Sequence, residues 1–258
     1  MKLAVSGKGG VGKTTLAALL CLAYAEQGYK VVAVDADPDA NLGSALGFSR
    51  NALEDLVPVA QREALIAERT GTTPGKGGQI FLMNPRVDDL PERFSLHQQG
   101  IRLLVMGHVS QGGSGCACPQ NTLLSHLIRH LVIDRDEVVI IDMEAGLEHL
   151  GRGTARGVDA FIVVVEPGRR SIQTAHAVAK LAGDLGIRQV FVVANKVRSE
   201  DEEGLREALG NLPLLGMLPY EAQAVTADLE GESVKAIPAL RAKVEDIRQA
   251  LENRRQNP

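Results

Sequence analysis

The segment Gly7-Lys8-Gly9-Gly10-Val11-Gly12-Lys13-Thr14-Thr15 constrains this chain more than any other. It follows a short apolar run, LAVS at 3–6, and opens a helical pattern over 13–27. A glycine-rich turn between a strand and a helix can curl until successive N–H groups converge on one point, and the helix N-terminus adds a dipole that favours an anion there. Gly9, Gly10, Val11 and Gly12 then form a cradle for phosphates, with Thr15 closing it on the helix side. Lys13 is placed to neutralise the β and γ phosphates, and the Thr14 hydroxyl to ligate Mg²⁺.

The same strand-then-helix alternation runs through the chain. Apolar runs occur at 31–35, 80–83, 101–106, 138–142, 160–165, 190–194 and 214–218, each read as a strand. Helical patterns at 120–132, 171–184, 201–209 and 238–252 lie between or after them, the last with Leu240, Val244, Ile247 and Leu251 on one face. Runs this apolar suit strands covered on both sides, which predicts a doubly wound α/β fold, a mainly parallel sheet with helices on each face. The two glycine-rich loops, 68–79 and 107–119, are too short to separate domains, so 1–258 reads as one domain with 107–119 as an inserted loop.

Composition narrows the function classes. The 258 residues are 45% hydrophobic and carry a net charge of -4, which argues against a chain built for nucleic acid. Aromatics are 3% with no Trp, so base-stacking platforms are poorly supplied. Three cysteines, an odd number, suit reduced thiols in the cytoplasm. The N-terminal residues do not read as a secretory signal, and no run approaches the ~18 apolar residues of a membrane span, so neither membrane nor nucleic acid is expected as a partner.

Further acidic and amide residues fall at strand ends. Asp35-Ala36-Asp37-Pro38-Asp39 ends the second run, although an Asp-Pro-Asp segment is equally a good turn and helix cap. Asp142 closes VVIID, with Gly146 four residues on as a flexible backbone that could sense a γ-phosphate. Asn195-Lys196-Val197-Arg198 lacks the aspartate of the guanine-reading Asn-Lys-x-Asp pattern, which favours ATP and its product ADP over guanine nucleotides.

Cys116-Ala117-Cys118 can aim two thiols at one soft ion, Zn²⁺ or Ni²⁺, but a closed tetrahedral site needs two more ligands. A symmetric dimer supplies them by repetition; within one chain His126 and His130, spaced i, i+4, are the rival. A redox couple or plain loop residues also fit the pair. Cys21, among Leu19, Leu20 and Leu22, reads as core.

The early lysine, Lys8, makes the phosphate loop resemble the deviant phosphate-loop ATPases, the class that contains MinD, ParA and the nitrogenase iron protein. The resemblance implies that Lys8 reaches across a nucleotide-bridged homodimer to the partner's phosphates, so that hydrolysis depends on pairing. It implies that Asp37 positions or deprotonates the attacking water, that Asp35 supports the Mg²⁺ shell, and that Asp142 leads into a γ-phosphate-sensing switch at Gly146. It also implies that Asn195 hydrogen-bonds the adenine edge, next to Lys196, and that Pro219 and Tyr220 flank the base. GKGGVGKTT, VDADPDANL, GCACP, IIDMEAGLEHLGRGT, VVEPGRRS and ANKV together resemble the CooC subgroup, the nickel-insertion ATPases that mature carbon monoxide dehydrogenase. That implies a homodimer with an interface metal site at Cys116 and Cys118, and a client metalloenzyme. Positioning ATPases of the ParA and MinD kind, or a reductase component like the iron protein, are the competing functions.

Overall fold

A computed structural model describes residues 1–72, 80–107, 119–144, 152–155 and 157–256. Among them eight strands form a single sheet: β1 (Lys2–Gly7), β2 (Val31–Ala36), β3 (Leu96–Gln98), β4 (Ile101–Val105), β5 (Val138–Met143), β6 (Ala160–Val165), β7 (Val190–Val197) and β8 (Leu214–Pro219). The helices are α1 (Lys13–Glu26), α2 (Leu42–Leu46), α3 (Arg50–Glu54), α4 (Glu63–Thr70), α5 (Leu90–Phe94) and α6 (Pro119–Ile133) in the first half. They continue with α7 (Arg152–Ala155), α8 (Arg169–Asp184), α9 (Glu202–Leu209), α10 (Ala222–Glu230) and α11 (Pro238–Gln256).

The strand order is β3-β4-β2-β5-β1-β6-β7-β8, and every ladder is parallel except β3 with β4. Side chains alternate across β1: Leu3 and Val5 pack with α1 and α11, while Ala4 packs with the layer of α6 and α8. The central strands β1, β2, β5 and β6 are buried along their whole length, the physical reason each reads as an almost unbroken apolar run. Leu240, Val244, Ile247 and Leu251 of α11 are all buried, as their spacing predicts.

One expected strand is absent. Residues 80–83 form no strand, and Ile80 is 99% exposed, with Leu82 and Met83 also in solvent. The Leu82 N–H donates instead to the Thr70 carbonyl at 2.8 Å. Both edges of β4 are already taken, by β2 and by the short β3, whose Leu-His-Gln sequence carries no apolar signature. Apolar residues alone do not make a strand without a partner to pair with.

β1 lies between β5 and β6, yet the chain leaves it through α1 to reach β2 on the far side of β5. Connections therefore diverge at the carboxyl end of β1, and a crevice opens there. No helix among the described residues is long and apolar enough to cross a membrane.

Candidate functional site

The crevice is built from the carboxyl end of β1. Gly7 passes so close to β6 that a Cβ on it would stand 2.4 Å from the Val164 carbonyl oxygen. The chain then curls through the glycines to Gly12, which sits at φ +94 as the N-cap of α1 and offers no side-chain cap. A Cβ at Gly12 would meet Asn195 Nδ2 at 2.1 Å, so both the conformation and the space demand glycine. The first turn of α1 carries no acidic residue, and its leading N–H groups, which have no intrahelical partner, face the crevice unopposed. Val11 is the loop's anchor, its side chain fully buried in the core.

Lys13 is buried, and its Nζ lies 3.8 Å from Asp37 Oδ2. Asp37 accepts a turn bond from the Asp39 N–H at 3.1 Å through its other oxygen. Lys8, in contrast, is exposed at the rim.

Asp35 and Asp142 are register partners on β2 and β5, both completely buried. Their carboxyl groups nevertheless differ in kind. Asp35 accepts from the Leu42 N–H at 2.9 Å and the Asp37 N–H at 3.3 Å, so it shapes the 37–42 segment. Burial lifts its pKa to about 6 against those two bonds. Asp142 has neither oxygen in a hydrogen bond, and although the nearby Thr14 hydroxyl and Lys13 favour its charged form, burial prevails and lifts it to about 7. A sealed carboxylate without a partner beside the Thr14 hydroxyl is a donor set suited to a hard cation such as Mg²⁺.

The sign of the linked pH effect follows. Between the ordinary carboxylate range and about pH 7 the unfolded chain has released protons that folded Asp142 retains. The folded state binds more protons, so stability falls as pH rises through that window. Asp142→Asn, which removes the cost of burying charge, is expected to raise the melting temperature of the nucleotide-free protein at about pH 8 and to flatten its decline from about pH 5. Thermal denaturation across that range measures this; an unchanged slope would contradict the assignment.

Asn195 and Lys196, at the end of β7, turn toward the loop. Asn195 Nδ2 donates to the Val11 carbonyl at 2.9 Å, and Lys196 Nζ to the Gly10 carbonyl at 2.6 Å. Asn195 therefore contacts the phosphate loop, in addition to lining the crevice where a base would enter. Pro219 and Tyr220 line the same crevice, with the Arg198 guanidinium 5.2 Å from the Tyr220 ring centre.

Together Gly9, Gly10, Gly12, Lys13, Thr14, Thr15 and Asp37 form one wall of a cavity of about 470 Å³, a size suited to a small organic ligand. The same cavity is also lined by residues without a motif signal: Ala224 and Val225 of α10, then Glu232 and Val234 after it. Nothing in the order of residues marks a helix at 222–230 as a neighbour of a phosphate loop at 7–15; only the fold brings it there.

Gly146, Cys116 and Cys118 lie outside the described residues. On α6, which follows the cysteine pair, Leu123, Leu127, Ile128 and Leu131 are buried against the sheet, and His130 Nδ1 sits 3.2 Å from Asp134 Oδ2. Among the described residues no three His, Cys, Asp or Glu side chains gather as a metal site, and so no such cluster there includes His126 or His130.

Comparison with known proteins adds three findings. The family described as "CobQ/CobB/MinD/ParA nucleotide binding domain" matches residues 2–234. The carbon monoxide dehydrogenase accessory protein CooC of Rhodospirillum rubrum is 46% identical over 253 residues, covering 97% of this chain and 96% of that protein, whereas the septum site-determining protein MinD of Bacillus subtilis is 27% identical over 93% and 83%. Among solved structures, MinD of Pyrococcus horikoshii complexed with Mg-ADP superposes with a TM-score of 0.69 at 20% identity, covering 98% of this chain and 97% of that one. A ParA family ATPase from Chlorobium tepidum superposes with a TM-score of 0.70 at 18% identity, covering 96% and 98%.

Proposed function

The chain belongs to the CobQ/CobB/MinD/ParA nucleotide-binding family, and from that premise we propose that it is an ATP hydrolase that pairs in its nucleotide-bound form and assists nickel insertion into carbon monoxide dehydrogenase. The observation that carries the nucleotide half is the meeting of Lys13, Thr14 and the sealed, unpartnered carboxylate of Asp142 at the open N-terminus of α1. Thr14 and Asp142 are the residues that would hold Mg²⁺. When bound, the ion would offset charge on the β and γ phosphate oxygens.

The chain's own residues do the rest. Loop N–H groups and Lys13 bind and orient the phosphates, and Asp37 accepts a hydrogen bond, then a proton, from the attacking water. Asp35 holds the 37–42 segment so that Asp37 stays at the phosphate end. Lys8, exposed at the rim, supplies its ammonium to the second copy's triphosphate. Pairing thereby becomes a condition for turnover.

Cys116 and Cys118 from each copy supply four thiolates for one Zn²⁺ or Ni²⁺ on the two-fold axis, a soft donor set for a cargo ion. Closure and opening of the pair with ATP and ADP would assemble and release that site. The near-full-length likeness to a carbon monoxide dehydrogenase accessory protein supports that enzyme as the client. The expected result is a dimer holding one metal ion per two chains in the presence of metal and nucleotide, measured by light scattering and metal analysis on the same peak. Cys116→Ala with Cys118→Ala should lose that ion yet still bind ADP; unchanged metal content, or a chain that stays single, would overturn the proposal.

A further inference from the structure

Successive residues on a strand point to opposite faces, so Asn195 and Lys196 should not both reach the same loop. They do because the backbone departs from the strand. Lys196 sits at φ +58, in the left-handed region a residue with a Cβ seldom takes, and the pairing of β7 with β8 shifts register between Ala194 and Val197. The turn swings the Lys196 side chain onto the Asn195 side. There the two donate to consecutive carbonyls, those of Gly10 and Val11.

This pairing controls what the loop presents. In a planar trans peptide the carbonyl and the N–H point in opposite directions. Holding the Gly10 and Val11 carbonyls outward turns the N–H groups of Val11 and Gly12 to the other side. Val11's N–H donates a long hydrogen bond, 3.4 Å, to the Lys8 carbonyl across the loop. The Gly12 N–H is thus turned away from the latch, and the Val11 bond is long enough for an anion to displace.

Lys196 is itself held. Its Nζ lies 3.5 Å from Oε2 of Glu166, the first residue after β6. The Glu166 backbone is in turn fixed, its N–H donating to the buried Ser171 hydroxyl of α8 at 3.1 Å.

We propose that Glu166 and Lys196 form a latch that, together with Asn195, holds two consecutive peptide planes of the phosphate loop in their binding orientation; both are positioning residues for nucleotide. The inference rests on the nucleotide-binding part of the function above and is independent of metal delivery. Because the latch shapes the loop equally for substrate, transition state and product, its loss weakens binding and leaves the chemical step alone.

The test is calorimetric titration of the full chain with ADP, alongside steady-state ATP hydrolysis. Lys196→Met should bind ADP about tenfold more weakly, as for loss of a hydrogen bond from a charged donor, with KM for ATP raised in step and kcat within about twofold. Lys196→Arg, which keeps a cationic donor, should recover most of the affinity. Glu166→Gln should cost about two- to threefold, and nothing further in the Lys196→Met background, since the carboxylate acts only through the lysine. Lys196→Gly, which relieves the backbone but removes the contact, should match Lys196→Met.

Undiminished ADP affinity in Lys196→Met, a fall in kcat with KM intact, or a Glu166→Gln effect that persists without the lysine would each overturn the latch. Should Lys196→Met fail to fold, Glu166→Gln, on an exposed carboxylate, and Lys196→Arg carry the same comparison. A wild-type chain that binds no ADP would sink the nucleotide reading itself, a different result.

Discussion

Lys13→Ala is expected to lower kcat/KM for ATP by about 10³-fold or more, with phosphate release near background. The residue is buried at the mouth of α1, beside Asp37, so its ammonium faces the place where the β and γ phosphates would lie. A preorganised donor removed from water at a developing charge contributes about 10²–10³-fold on its own, and Lys13 adds ground-state binding to that. Among the described residues no neighbouring cation replaces it, because Lys196 is occupied with Gly10 and Glu166, and Lys8 stands exposed on the rim. Phosphate release measured beside circular dichroism checks the outcome; activity within tenfold of wild type would mean that the crevice does not house the reacting phosphates.

Lys8→Ala has nearly as large an expected effect by a different route. An ammonium delivered from the opposite copy acts on the transition state, where a cation supplied in trans is worth about 10³–10⁵-fold in phosphoryl transfer. Hydrolysis should therefore collapse, while ADP affinity stays within about twofold of wild type.

The decisive form mixes Lys8→Ala chains with Asp37→Asn chains, each inactive alone. In a mixed pair the Asp37→Asn chain still lends Lys8 to a partner whose Asp37 is intact. Random pairing makes half the dimers mixed with one competent site of two, so activity should return to roughly a quarter of wild type. No recovery would show that Lys8 serves its own chain.

The phosphate loop was legible because its chemistry is local: glycines, lysine and threonine act within nine consecutive residues, between a strand and a helix that announce themselves. The sheet was legible because strands covered on both faces must be apolar throughout. Where that logic was applied to 80–83 it failed, since those residues join no strand of the sheet and stay in solvent. The half-polar β3 that occupies the edge of β4 gave no signal at all.

Asp35 and Asp142 show a subtler limit. Both are aspartates at the ends of apolar strands, and resemblance gave Asp35 to the Mg²⁺ shell and Asp142 to a γ-phosphate-sensing switch. Their register brings them side by side, yet one is spent on the Leu42 and Asp37 N–H groups and the other is left without a hydrogen bond. Asn195 is similar: the family likeness pointed it at a base, and in the folded chain its amide also supports the Val11 carbonyl.

The order of residues alone dictated the fold class, the strand that ends in a phosphate cradle and the side chains that could neutralise a triphosphate, because hydrophobic periodicity and glycine-rich curls are properties of neighbouring residues. Tertiary structure decided which carboxylate stays unpaired, which distant helix lines the cavity, and that Lys196, beside Glu166, reaches the loop. Those outcomes depend on strand order and on one left-handed residue at the end of β7, where distant segments compete for the same hydrogen bonds, and no local pattern records who wins.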